Sequence, residues 1–174
     1  MATSQTQIFL DLRIAGNRIL GEATIADYED QIEIDSFKFQ VKAKATSPKQ
    51  GTKLSTRVEP SVLTLSKLFD RSSANLARYA ARQTEFDHAK ITVNQHQTGT
   101  GGAQAMPVLV IELWEGVVKN LSLSMSGSSG SSSLREDIEL SYKEVSLDMH
   151  ASTADRQGRR AATNFNVRVK GSDE

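Results

Sequence analysis

The chain has no cysteine among its 174 residues. Disulfide staples and thiolate metal sites are therefore excluded, and the fold must rest on a packed core. A chain of this length can build one, because it buries about two thirds of its unfolded surface. An excess of one charge is also missing, with 21 Lys and Arg against 21 Asp and Glu. That balance argues against a dedicated nucleic-acid or anionic-membrane binder. No apolar run approaches the roughly 20 residues of a membrane helix; the longest, such as Val108–Ile111, are strand-sized. The start, Met1–Gln7, carries neither a basic n-region nor an apolar h-region, so any export is expected to proceed without a signal peptide. At 38% hydrophobic and 24% charged residues, the composition is that of a globular protein rather than a disordered one.

What is present is period-two alternation. Ile8, Leu10, Leu12 and Ile14 form one stripe, and Gly16-Asn17 reads as the following turn. Ile32 and Ile34 continue the strand pattern, whereas Phe37, Phe39 and Val41 have the opposite parity, which predicts a bulge near Asp35-Ser36. Residues 43–57 are polar and aperiodic and read as an extended loop. Structureless loops of about 15 residues are uncommon and usually functional. Val62–Phe69 reads as a strand. One helix follows, capped by Ser72 or Ser73, with Leu76, Tyr79, Ala80 and Gln83 at helical spacing. Ala89, Ile91 and Val93 return to strand, and Thr98–Gly102 reads as a turn. Val108–Trp114 is apolar at both parities, the pattern of a doubly covered central strand. Val117, Leu121, Leu123 and Met125 continue in strand, and Ser126–Ser133 is a flexible link. A parity change between Ile138–Tyr142 and Val145–Met149 predicts a second bulge near Lys143-Glu144. A polar linker over Ala151–Ala162 leads into a short last strand through Phe165, Val167 and Val169. About eight strands, one short helix and no internal repeat make this a single, mainly β domain over residues 1–174, a barrel or two packed antiparallel sheets.

Catalytic constellations are weak. His88 and His96 lie eight residues apart on one strand, roughly 26 Å, too far to share a metal. Asp87-His88 could open a dyad, but no G-x-S-x-G elbow accompanies it. Gly99–Gly102 precedes a strand, whereas a phosphate cradle needs a helix N-terminus. The segment 151–174 has a net charge of +2 but only Phe165 as an aromatic, so it reads as a solvated tail rather than a strand-binding groove for nucleic acid. The residues by themselves point to a non-enzymatic β assembly or binding module without cofactor or metal.

The order of motifs resembles one family. Ile8-Phe9-Leu10-Asp11-Leu12 is followed by Gly21-Glu22-Ala23, and then by the strand Gln31-Ile32-Glu33-Ile34-Asp35-Ser36-Phe37-Lys38-Phe39. The stretch Leu65–Leu76, with Phe69-Asp70-Arg71-Ser72-Ser73-Ala74 at its centre, is similar to a distinctive strand–helix junction, and His88–Val93 and Glu136–Met149 follow in the same order. Together they resemble the Hcp (haemolysin-coregulated protein) family of bacterial type VI secretion systems. Departures are phenylalanines in place of the usual tryptophans, a longer first turn over Ala15–Leu20, and a 43–57 loop with one glycine.

The resemblance implies six-membered rings stacked into a hollow tube, wrapped by a contractile sheath and tipped by a spike, with effector proteins carried in the lumen and the tube secreted on contraction. It implies a phage tail-tube-like fold. Lys38 and Gln40 are the expected lumenal, cargo-contacting residues, because the family uses this strand in the channel wall. Lys49, Gln50, Lys53 and Arg57 are the expected contacts between stacked rings. The alternatives are the tube of another phage-like contractile particle, a monomeric β-sandwich binding module, and a small hydrolase.

Overall fold

The computed structural model describes residues 6–45, 56–59, 62–97, 104–128, 131–150 and 162–168. Along the chain run β1 (Thr6–Ile14), β2 (Asn17–Ile19), β3 (Ile32–Ile34), β4 (Ser36–Lys38), β5 (Lys42–Ala45), β6 (Thr56–Glu59) and β7 (Leu63–Leu68). Then come α1 (Ser73–Arg82), β8 (Glu85–Gln97), β9 (Gln104–Ser128), β10 (Ser131–Ser141), β11 (Glu144–His150) and β12 (Ala162–Arg168). The main sheet is antiparallel, in the order β2-β1-β8-β9-β10-β7-β4, with β3 beside β1, β11 beside β9 and β12 beside β11. The fold is thus mainly β with one short helix, in a barrel-like sandwich.

The core forms where the alternation predicts it. Leu10, Leu12 and Ile14 of β1, Ala89 and Ile91 of β8, Ile111 and Leu113 of β9, Ile138 and Leu140 of β10, and Leu63 and Leu65 of β7 are all buried in one cluster. Leu76 of α1 closes it from the side. Phe9 points the other way, yet it too is buried, because the ring of Tyr28 stacks on it at 4.5 Å.

Several expectations are corrected. The parity change at Asp35 is not a bulge within one strand. Ile32–Ile34 pairs with β1, and Ser36–Lys38 pairs with β7, so the segment changes partner at Asp35 and draws together two edges that lie far apart in the strand order. The turn after β1 lies at Ala15-Gly16, both at positive φ, rather than at Gly16-Asn17. Two left-handed residues make the turn whose twist suits a tight hairpin. The 43–57 loop is shorter than expected, because β5 and β6 form a separate two-stranded ribbon that takes in its ends. Val108–Trp114 is not doubly covered: Ile111 and Leu113 are buried, whereas Val108, Val110, Glu112 and Trp114 are only half-buried. The strand expected there and the next one are a single strand, β9, of 25 residues.

The second irregularity lies where the sequence places it, but both strands share it. β10 ends at Ser141 and β11 begins at Glu144; opposite the gap, Glu115 has φ 50° and Gly116 follows. A Cβ on Gly116 would sit 1.8 Å from the Ser141 carbonyl oxygen and 2.4 Å from Cζ of Phe86. Only glycine fits. The expected caps Ser72 and Ser73 are also revised. Ser72 is the boundary residue but makes no side-chain cap; the Asp70 carboxylate accepts from the Ser72 amide at 2.8 Å, and Ser73 Oγ accepts from the Asp70 amide at 3.0 Å. A carboxylate two residues earlier thus takes the Ser72 amide, and the Asp70 carbonyl takes that of Ser73 at 3.1 Å.

Candidate functional site: a polar sheet face and an uncovered apolar rim

Lys38 is exposed at the end of β4, directly opposite Thr64 of β7. Thr64 faces Glu139 of β10, which faces Asn120 of β9. One row along, Ser36, Ser66, Asp137 and Ser122 stand opposite one another in the same way. Directly opposed residues in a sheet share a face, so these four strands present a continuous polar wall. It is cross-linked, since Ser66 Oγ donates to Asp137 and Arg135 pairs with Asp35 at 2.6 Å. Gln40 is exposed just beyond β4. Phe37 and Phe39 pack against the core on the opposite side, Phe39 with its ring 6.4 Å from that of Tyr142. Val41, expected to follow them inward, is 50% exposed, because the chain has left the sheet by then.

The opposite face of the same strands is the core face, and its apolar stripe outruns its cover. Ile138 stands opposite Leu121, Glu136 opposite Leu123, and Leu134 opposite Met125. Ile138 and Glu136 are buried, but Leu123 is 54% and Met125 73% exposed. Phe69, whose amide donates to the Leu134 carbonyl at 3.0 Å, is 51% exposed. Single exposed apolar residues are unremarkable, whereas neighbouring ones on a sheet face mark an interaction surface. The edge of β9 beyond Val118 that faces away from β10 pairs with no strand among the described residues. A second exposed apolar pair, Met149 on β11 and Phe165, lies at the β11–β12 end, where β12 has one unpaired edge among the described residues. The sequence reading overlooked this rim because Leu121, Leu123 and Met125 look like any core stripe; only the reach of α1 decides that they are uncovered.

The junction that leads into the helix is physically joined to an earlier motif. Arg71 donates Nε to the Gly21 carbonyl at 2.5 Å and pairs with Asp30, while its amide donates to Glu22 at 3.1 Å. Gly21 has no room for a side chain, since a Cβ would lie 2.2 Å from the Gln31 carbonyl oxygen. Thus Gly21-Glu22-Ala23 and the Phe69–Ser73 junction, far apart in sequence, form one tie.

The dyad does not assemble. Asp87 accepts from the Gly16 amide at 2.7 Å, and His88 sits 3.3 Å from Glu112 with its ring over Trp114. Of the expected stacking residues, Lys49, Gln50 and Lys53 lie outside the described residues, as does the Thr98–Gly102 turn; Arg57 stands on β6 opposite Lys44. Among the described residues no helix is long and apolar enough to cross a membrane.

The sequence matches the family described as "Type VI secretion system effector, Hcp" over residues 10–149. The chain belongs to the Hcp family. Protein hcp1 of Pseudomonas aeruginosa is 24% identical over 146 residues, spanning 84% of this chain and 86% of that protein. A solved type six secretion system protein superposes with a TM-score of 0.71 at 22% identity, covering 92% of each chain. Hcp1 from Salmonella typhimurium gives 0.64 at 23% identity, over 92% of this chain and 94% of the other. These likenesses establish the Hcp fold. Membership makes the chain a tube protein of a type VI secretion system, in a structural family.

Proposed function

We propose that copies of this chain join side by side into closed six-membered rings, that the rings stack into a hollow tube, and that the tube is secreted with effector proteins in its lumen. The observation that carries the ring is the pair of apolar patches at different places on one subunit. Leu123 and Met125 lie on a stretch of β9 that has β10 on one edge and no strand on the other among the described residues, whereas Met149 stands opposite Leu109 near the other end of the same strand, so β9 holds the two patches apart within one chain. Two unlike patches that satisfy each other only between copies make a head-to-tail contact, which closes into a ring when the rotation allows. Strand edges at both places that pair with nothing among the described residues supply backbone groups for the same contact.

The polar wall around Lys38 supports the lumen. A channel that passes folded cargo needs a wetted, weakly adhesive lining, and serine, threonine, asparagine and paired charges provide one. Lys38 and Gln40 are the proposed cargo contacts, and Lys49, Gln50, Lys53 and Arg57 the contacts between rings. Sheath and spike proteins are the proposed partners of the assembled tube. Balanced net charge lowers the self-repulsion of stacked copies.

The deciding experiment is negative-stain microscopy with light scattering on the purified chain over a concentration series. Annular particles of six subunits are expected. A monomer at every concentration refutes the ring and favours the β-sandwich binding module.

A further inference from the structure

Lys67 is fully buried and Glu136 is 1% exposed, on adjacent strands and directly opposite each other. The Lys67 ammonium lies 2.7 Å from Glu136 Oε2, 2.9 Å from Asp70 Oδ1 and 3.3 Å from Ser73 Oγ, and it donates to the Leu68 carbonyl at 2.8 Å. Glu136 Oε1 is buried and has no hydrogen-bond partner among the described residues. A buried ion pair of this kind is a poor source of stability, because desolvating both ions offsets their attraction, and one unsatisfied oxygen worsens the balance. Apolar residues of similar volume would serve the core at least as well. Its position shows what it does instead.

The peptide group joining Leu68 to Phe69 is held at both ends. Its oxygen accepts from Lys67, and its N–H donates to the Leu134 carbonyl. The next residue, Asp70, is held by the same ammonium and by Ser72 and Ser73 of the helix start. Phe69 therefore projects, half exposed, from a backbone fixed on either side of it. It borders Leu134, whose opposite residue is Met125. Preorganising an exposed aromatic removes the ordering cost that a partner would otherwise meet on binding.

We propose that Lys67 and Glu136 are positioning residues that hold Phe69, beside Leu134 and Met125, as a rigid apolar anchor for a second copy of this chain. This rests on the ring reading given above, which supplies the occupant: a neighbouring copy brings its own exposed apolar strand end to an otherwise uncovered face.

The test uses the full chain and three variants. Lys67→Met with Glu136→Leu removes both charges together, so no lone charge stays buried. Asp70→Asn, which keeps an acceptor for the Ser72 amide while removing one counter-charge, gives the second reading should the double variant fail to fold. Phe69→Ala removes the anchor itself. In the double variant, unchanged circular dichroism and an undiminished melting temperature are expected, with the Phe69 amide exchanging about tenfold faster and ring association weakened about tenfold by sedimentation velocity. Asp70→Asn should shift both readings in the same direction, and Phe69→Ala should weaken association without altering the core. A purely structural pair would lower the melting temperature and leave association of the folded protein unchanged, which overturns the proposal. Unchanged association in Phe69→Ala overturns the choice of anchor. A wild-type chain that never forms rings refutes the ring reading and the second-copy occupant, while the exchange rate at Phe69 still decides whether the buried pair positions it.

Discussion

Replacing Leu123 and Met125 together by aspartate tests the apolar rim most directly. Complete burial of such side chains is worth about 1.5–3 kcal/mol each. Leu123 is 54% and Met125 73% exposed, so covering only the exposed parts returns about 1 and about 1.5 kcal/mol. The loss is then about 2.5 kcal/mol at each seam, roughly 50- to 100-fold in association, before the further penalty of burying unpaired carboxylates. The parts already covered in the isolated subunit are worth about 1 and about 0.5 kcal/mol by the same measure, so its own unfolding free energy should fall by no more than about 1.5 kcal/mol. Sedimentation velocity over a concentration series reads the first quantity, and urea unfolding at a dilution where wild type is monomeric reads the second. Rings forming at wild-type concentrations would refute the placement of the seam. Strong destabilisation of the monomer would show instead that the rim belongs to the core.

Gly116→Ala should lower the monomer's stability by about 3 kcal/mol or more, because the 1.8 Å approach is to backbone oxygen and cannot be relieved by a side-chain rotation. That corresponds to about 6–12 °C in a thermal melt. Gly16→Ala, where nothing lies within 4 Å but φ is +75°, should cost only about 1–2 kcal/mol, and the reverse order would contradict both assignments. Lys38→Glu should leave rings intact and alter the amount of effector protein co-purifying with them; unchanged retention counts against the lumenal role. Removing residues 47–52 should leave six-membered rings but stop tube growth and secretion, measured by microscopy and by the protein's appearance in culture medium.

Most of the strand framework was legible because a half-buried strand writes its period into the sequence: Leu10, Leu12 and Ile14 announce their face unaided. The helix was legible for the same reason at Leu76 and Tyr79. What alternation cannot record is the identity of a strand's partner. Ile32–Lys38 reads as one irregular strand, although its halves bond to β1 and β7. Val108–Trp114 reads as buried on both sides, although apolar residues on its second face are only half covered. Lys67 and Glu136 carried a signal that went unread. Lys67 continues the parity of Leu63 and Leu65, and Glu136 that of Ile138 and Leu140. Opposite charges inheriting two core stripes are what a buried pair looks like in sequence. Asp70 as the acceptor for the Ser72 amide was equally visible, but Ser72 and Ser73 stood nearer the first turn. The polar wall was legible only at Lys38, since the rows through Thr64, Glu139 and Asn120 depend on register.

One strand holds the molecule in tune. β9 runs 25 residues, roughly 80 Å of contour, and exchanges hydrogen bonds with β8, β10 and β11. A ladder that long invites slippage, and one step would turn every inward side chain outward. Three interruptions prevent it: an extra residue at Val108 against β8, the left-handed Glu115 before Gly116, and an extra residue at Lys119 against β10. Each works like a detent on a sliding bolt, admitting a single setting, so that identical subunits arrive at assembly with identical faces.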